Sequence, residues 1–278
     1  NAITIGDKQI VGVGLLNDTS DKEVTLSELF SEFTTLNGES ILENLHLDED
    51  ALSQLGPLLG TLNLFIDVFG NYSLTHINNT YAQVVTGQFK PDTQETSLIS
   101  SYSTDGSSQT QETSSIVDYV YTDGTENTLD PFFATHPEYL KRDSSGRVIG
   151  VYAGLIESAT ESRPQVMKSY DLFGNLTRSQ ISNKYLITDS GQIKVLETTT
   201  TILESTSLDG TIITSKTPQT VKYYYTKRDD AFFSIGNHKV MILSTEGEEY
   251  IVSDSYVNEK TGKLYSGLLL DCQETSNQ

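Results

Sequence analysis

A formal charge of -20 on 278 residues, 38 acidic against 18 basic, repels phosphate backbones and anionic membrane surfaces, so nucleic acid is not an expected partner. The single cysteine, Cys272, permits no internal disulfide and no cysteine-built zinc site. With 15 Tyr, 10 Phe and 36% hydrophobic residues the chain has enough apolar surface to pack a core, which argues against disorder throughout.

In chain order, Ile3 to Leu16 reads as a strand that ends in a polar loop, Asn17 to Lys22. Leu26, Leu29, Phe30 and Phe33 then fall at i, i+3, i+4 and i+7. Thr25-x-x-Glu28 offers a capping box and Asn37-Gly38 a stop, so this stretch predicts a helix. From Ile41 to Phe69 dense apolar residues, interrupted by Asp48-Glu49-Asp50 and Gly56-Pro57, suggest further short helices. In the last of them Pro57 takes the first helical position, and Leu58, Leu59, Leu62, Phe65 and Ile66 form one apolar stripe. The helical segment is expected over 24–66.

From 70 to 272 short β-prone runs alternate with turn signals. These are Asp67-Val-Phe-Gly70, Asp105-Gly106, Asp123-Gly124, Asp143-Ser-Ser-Gly146, Asp171-Leu-Phe-Gly174, Asp189-Ser-Gly191, Asp209-Gly210, Glu246-Gly247 and Glu259-Lys-Thr-Gly262. Asp accepts local backbone hydrogen bonds and Gly supplies positive φ. Several follow one another at about 20 residues, which implies a hairpin meander. The Ser-, Thr- and Gln-rich stretch 93–115 is expected to be exposed or mobile, and Asp130-Pro131 to His136-Pro137 to be a loop. Two turns share more than chemistry: Ile66-Asp67-Val68-Phe69-Gly70-Asn71-Tyr72-Ser73 and Tyr170-Asp171-Leu172-Phe173-Gly174-Asn175-Leu176-Thr177 follow one pattern. The second resembles the Tyr-Asp repeats of bacterial surface and toxin-shell proteins over that short stretch alone, which assigns no family. No composition break separates domains, so 1–278 reads as one domain: strand 3–16, helices 24–66, meander 70–272.

Motifs with chemistry are sparse. Gly12-Val-Gly14 lacks the third glycine of a dinucleotide fingerprint, and His46, His76, His136 and His238 are too scattered for a metal site. Asp18-Thr-Ser-Asp21 and Asp48-Glu-Asp50 cluster oxygens without completing a calcium loop. No cofactor or metal is expected. Tyr223-Tyr224-Tyr225 could stack a sugar beside paired carboxylates, the one catalytic reading kept.

The expected fold is α+β, mostly antiparallel: a large twisted β-meander or half-barrel with the N-terminal helices packed on one face. Such a protein resembles envelope lipid carriers in architecture only. An apolar cleft between helix and sheet would bind a hydrophobic small molecule or lipid through the Leu58–Ile66 stripe, with Phe132, Phe133 and His136 beside it. The leading expectation is thus a non-catalytic exported binding or carrier protein, secreted, periplasmic or at the cell surface. The alternatives are a surface adhesion or structural β module with a cell-surface partner, and a glycan-active enzyme. No run approaches the ~20 apolar residues of a membrane-spanning helix.

Overall fold

The computed structural model describes residues 2–5, 8–11, 61–66, 69, 71–214 and 217–276. Ala2–Ile5 (β1) and Lys8–Val11 (β2) pair as an antiparallel hairpin. The single strand expected over 3–16 is therefore two where it is described, divided by Gly6-Asp7, a pair rich in turn chemistry.

Antiparallel strand dominates the described residues, which contain only one short helix, so the α+β expectation with N-terminal helices is overturned. Thr61–Ile66, the described part of helical segment 24–66, is a strand (β3) along Tyr72–Gln83 (β4). Six residues can carry either period: Leu62, Leu64 and Ile66 alternate as well as Leu62, Phe65 and Ile66 recur helically, and pairing with β4 decides between them. A strand alternates its faces with period two, so the helical stripe proposed for 58–66 does not form over its described part. The predicted helix after Thr25 and residues Leu58 and Leu59 lie outside the described residues.

The chain continues through Phe89–Tyr102 (β5), Ser108–Thr113 (β6), Ser115–Tyr121 (β7), helix Pro131–Thr135 (α1), Leu140–Arg142 (β8), Val148–Val151 (β9) and Ile156–Arg163 (β10). Next come Gln165–Tyr170 (β11), Leu176–Ile187 (β12), Ile193–Thr206 (β13), Ile212–Ile213 (β14) and Gln219–Tyr225 (β15). The last set is Ala231–Ile235 (β16), Lys239–Leu243 (β17), Glu249–Ser253 (β18), Val257–Asn258 (β19), Lys263–Leu264 (β20) and Leu269–Ser276 (β21). The stretch 93–115, expected to be exposed or mobile, lies in β5, β6 and β7. Its polar side chains bond across strands, as in Thr80 with Thr93 at 2.7 Å and Gln94 with Asn79 at 3.1 Å.

Among the described residues from Thr61 onward, two units with matching strand pairings follow one another. In the first unit β4 pairs β3 and β5, and the far edge of β5 divides between β6 and β7. In the second, β12 pairs β11 and β13, and β13 divides between β14 and β15. Partners match at a constant offset of 104: Thr61↔Ile77 answers Gln165↔Ile181, and Thr93↔Asp118 answers Glu197↔Lys222. Even the bulges coincide, at Leu74/Thr75 and Thr80/Tyr81 in one unit and Arg178/Ser179 and Lys184/Tyr185 in the other. The underlying repeat is thus a unit of many strands, not the short meander period suggested by the turns.

Seven hairpin turns share one hydrogen-bond pattern, in which the first residue donates to the fifth and a glycine in fourth place donates back to the first. It is a tight turn followed by a residue in the left-handed region, which Gly106 (φ 95) and its counterpart Gly210 (φ 83) occupy. Asp105 Oδ1 braces its turn by accepting from Ser107 N at 2.8 Å, and Asp209 does the same for Thr211 at 2.9 Å. Gly124 is an exception on the sequence's ladder: its N–H donates to the Glu126 carboxylate at 2.9 Å, leading away from the sheet.

Buried apolar side chains gather in three places among the described residues. Tyr72, Leu74, Ile99, Val117 and Met167 lie along the large sheet, Phe133, Tyr139 and Val151 around α1, and Val240 and Ile242 on β17.

Candidate functional site

Each unit closes on a buried threonine at the end of its β7-type strand. Thr122 N donates to Leu155 O at 2.8 Å; its Oγ1 donates to Tyr152 O at 2.6 Å and accepts from Leu155 N at 3.0 Å. Thr226 repeats the set with Leu268 O at 2.8 Å, Tyr265 O at 2.7 Å and Leu268 N at 2.9 Å. Tyr139 Oη donates to Ile156 O and Tyr256 Oη to Leu269 O, again matching positions. This clasp is the fixed frame from which each unit launches an insertion.

The insertions differ. In the first unit it is α1, not the loop expected from sequence. Asp130 caps it by accepting from Phe132 N at 2.9 Å, and Pro131 starts it. Phe132 stacks on His136, ring centroids 4.1 Å apart, and meets Phe133 and Tyr139 edge-on. Phe133 is 1% exposed. His136 Nδ1 lies 2.9 Å from Phe132 O and Nε2 3.1 Å from Ile187 O, so the ring ties α1 to the end of β12. Burial, with Glu138 and Glu157 nearby, pushes the Tyr139 phenol up to about 12. The sequence-selected trio Phe132, Phe133 and His136 is therefore brought together as a packed plug whose surfaces face one another.

In the second unit the insertion is an antiparallel three-stranded sheet, β16-β17-β18. One face carries Val240 and Ile242, both buried. The opposite face sets Phe233, Met241 and Ile251 in one cross-strand row, with Phe233 48% and Ile251 64% exposed. Arg228, at the root of this insertion, donates to Glu138 at 2.8 Å and also contacts Asp189, linking it to the first unit's insertion. Burial raises the Asp189 carboxyl pKa, opposed by the Arg228 backbone N–H and guanidinium.

The units join edge to edge. β6 pairs β11 from Tyr170↔Ser108 to Val166↔Thr113, and β10 meets β12 at Thr160↔Lys184. Arg178 of the second unit forms a bidentate pair with Glu112 of the first, both bonds 2.9 Å. Near the join, Glu95 is held below the usual carboxylate range, chiefly by the Ser114 hydroxyl and then by Arg163. A hollow of about 370 Å³ spans the join, lined by Leu98, Gln109, Gln165, Met167, Ser179 and Ile181 among others. Leu98, Met167 and Ile181 share its lining with amide and hydroxyl side chains, and it lies between strands of the two units, not between a helix and a sheet.

That cleft lacks its helical wall, because Leu62, Phe65 and Ile66 sit on an edge-paired strand and Phe65 is 67% exposed. Sequence reading overlooked the junction and clasp residues; the partners beyond the insertions lie further apart, and only those before the insertions keep the offset of 104. Asn79 and Asn183, Tyr81 and Tyr185, and Thr122 and Thr226 are identical pairs at that spacing. No described helix is long and apolar enough to cross a membrane, and no described group of His, Cys, Asp and Glu forms a metal-ligand cluster. Comparison with protein-family models, curated proteins and solved structures finds no match.

Proposed function

We propose that the chain is a non-catalytic β-repeat module of an exported surface protein, a paired framework that displays the β16–β18 sheet to a cell-surface partner. The observation that carries this reading is the contrast at the clasp. The two units keep the register and both bulges of the β4–β5 and β12–β13 ladders, yet one bears a plug and the other a three-stranded sheet with an exposed apolar row. Selection for an adhesive module acts in this way, preserving a scaffold and varying what it carries. Contiguous exposed apolar residues on a sheet face are a contact signature.

The test replaces residues 231–253 with a short Gly-Ser linker and compares both proteins on arrays of immobilised glycans and extracellular matrix proteins. The wild type is expected to bind a subset of spots, and the variant to lose them while retaining a cooperative melt. Equal binding by the two, or no binding by the wild type above buffer, sinks the proposal.

A further inference from the structure

The internal join supplies a template for the contacts of the outer edges of the two described units. At that join Glu161 on β10 accepts from Asn183 N at 2.8 Å and Asn183 Nδ2 at 3.3 Å, and Ser115 Oγ donates to the same carboxylate at 3.0 Å. Asn183 is oriented for this because its Oδ1 is already engaged by Thr198 Oγ1 at 2.8 Å. Tyr185, two residues on, is enclosed there; burial, together with the nearby Glu161 and Tyr119, pushes its phenol up to about 12.

The repeated unit carries these residues to both outer edges, on β4 and β21. On the incoming side Asn183 and Tyr185 correspond to Asn79 and Tyr81; on the outgoing side Glu161 and Tyr119 correspond to Glu274 and Tyr223. Asn79 is oriented as its counterpart is, its Oδ1 accepting from Gln94 Nε2 at 3.1 Å. Tyr81, by contrast, is 60% exposed. Among the described residues nothing pairs with the outer edge of β4 beyond Ile77, nor with the outer edge of β21. β14, counterpart of the six-residue β6, is a strand over only two residues, and β6 has a unit beyond it where β14 has none among the described residues.

We infer that the outgoing end of one molecule, β21 with Glu274 and Tyr223, receives the incoming end of a second copy, β4 with Asn79 and Tyr81, reproducing the internal join. The contact joins two different surfaces of the same chain, so it propagates head to tail and does not close as a symmetric dimer. Unpaired strand edges are what such growth uses. The inference rests on the join alone and stands whether or not β16–β18 binds a surface.

At the join Thr160 opposes Lys184; extended by one antiparallel step this register sets Ala159 against Tyr185, which places Cys272 opposite Tyr81 of the next copy. Under mild oxidation Tyr81→Cys is expected to give a non-reducing ladder of trimers and longer species. Wild type, with one thiol, stops at dimers. Thr86→Cys, out of register, serves as the control and should lag well behind. Sedimentation velocity across a concentration series should show the wild type growing in mass, with Glu274→Lys moving the midpoint up by about tenfold or more, since it removes hydrogen bonds to a charged group. Glu259→Lys, away from the join, should leave the midpoint in place. A wild type monomeric throughout the series, an unchanged Glu274→Lys midpoint, or equal ladders from Tyr81→Cys and Thr86→Cys would each overturn the inference.

Discussion

The two units agree in backbone far more than in side chains. Leu74, fully buried on β4, stands where the second unit has Arg178, a partner of Glu112 and Glu204 across strands. Glu95, paired with Arg163, stands where it has Thr199. What persists is the glycine-ended turn, the bulges and the threonine clasp, each a device that fixes where backbone groups find partners. Register in this sheet is therefore set by its ends and irregularities, and the faces between them are free to change chemistry.

The strongest challenge to this comparison removes core from one unit only. Phe133→Ala should cost about 3–5 kcal/mol, and hydrogen exchange should show β8, β9 and β10 opening while β13 and β15 keep their protection. Equal loss in both units would mean that they are not separately stabilised. The next perturbation is symmetric. Thr122→Val and Thr226→Val each leave buried backbone groups unpaired, at about 1–3 kcal/mol per group. Matched losses in denaturant midpoint would confirm that the clasps are equivalent, whereas a large disparity would show that one insertion shields its clasp.

A smaller effect tests one phenol from each unit. Tyr139 and Tyr185 are both raised to about 12 by burial, against about 10 in an unfolded chain. Their neutral forms are favoured in the fold, so stability is full below about pH 10 and falls as pH climbs towards 12, because the unfolded chain ionises first. Tyr139→Phe and Tyr185→Phe should each flatten part of that alkaline decline, followed by denaturant midpoints from pH 9 to 12.

The β character after residue 70 and most reversals were legible in the sequence, since Asp and Gly declare turns through local chemistry. Segment 61–66 was not, because its apolar residues satisfy both periods and the deciding partner, β4, is a tertiary fact. The loop read at Asp130-Pro131 held a cap and a first-turn proline that identify α1 once its length is known. The likeness of the two units was read only where Asp67–Asn71 and Asp171–Asn175 agree, although Asp105-Gly106 matches Asp209-Gly210, and Val117, Tyr119, Tyr121 and Thr122 match Val221, Tyr223, Tyr225 and Thr226, at the same spacing. Of the chosen site residues, Phe132, Phe133 and His136 pack on one another because they are close in sequence. The junction set was missed because its partners lie on different strands.

Copied registers have a consequence for how the chain folds. Because β4 and β12 have the same length and bulges, backbone register alone does not distinguish β13 from β5 as the partner of β4, and neighbouring like units are where such exchanges arise. The substitution at one site opposes the swap: misplaced β12 would set Arg178 against buried Ser100, while misplaced β4 would leave Glu204 facing Leu74. Divergence between otherwise matching units thus acts as a proofreading signal, a charge that is tolerable only beside its own strand.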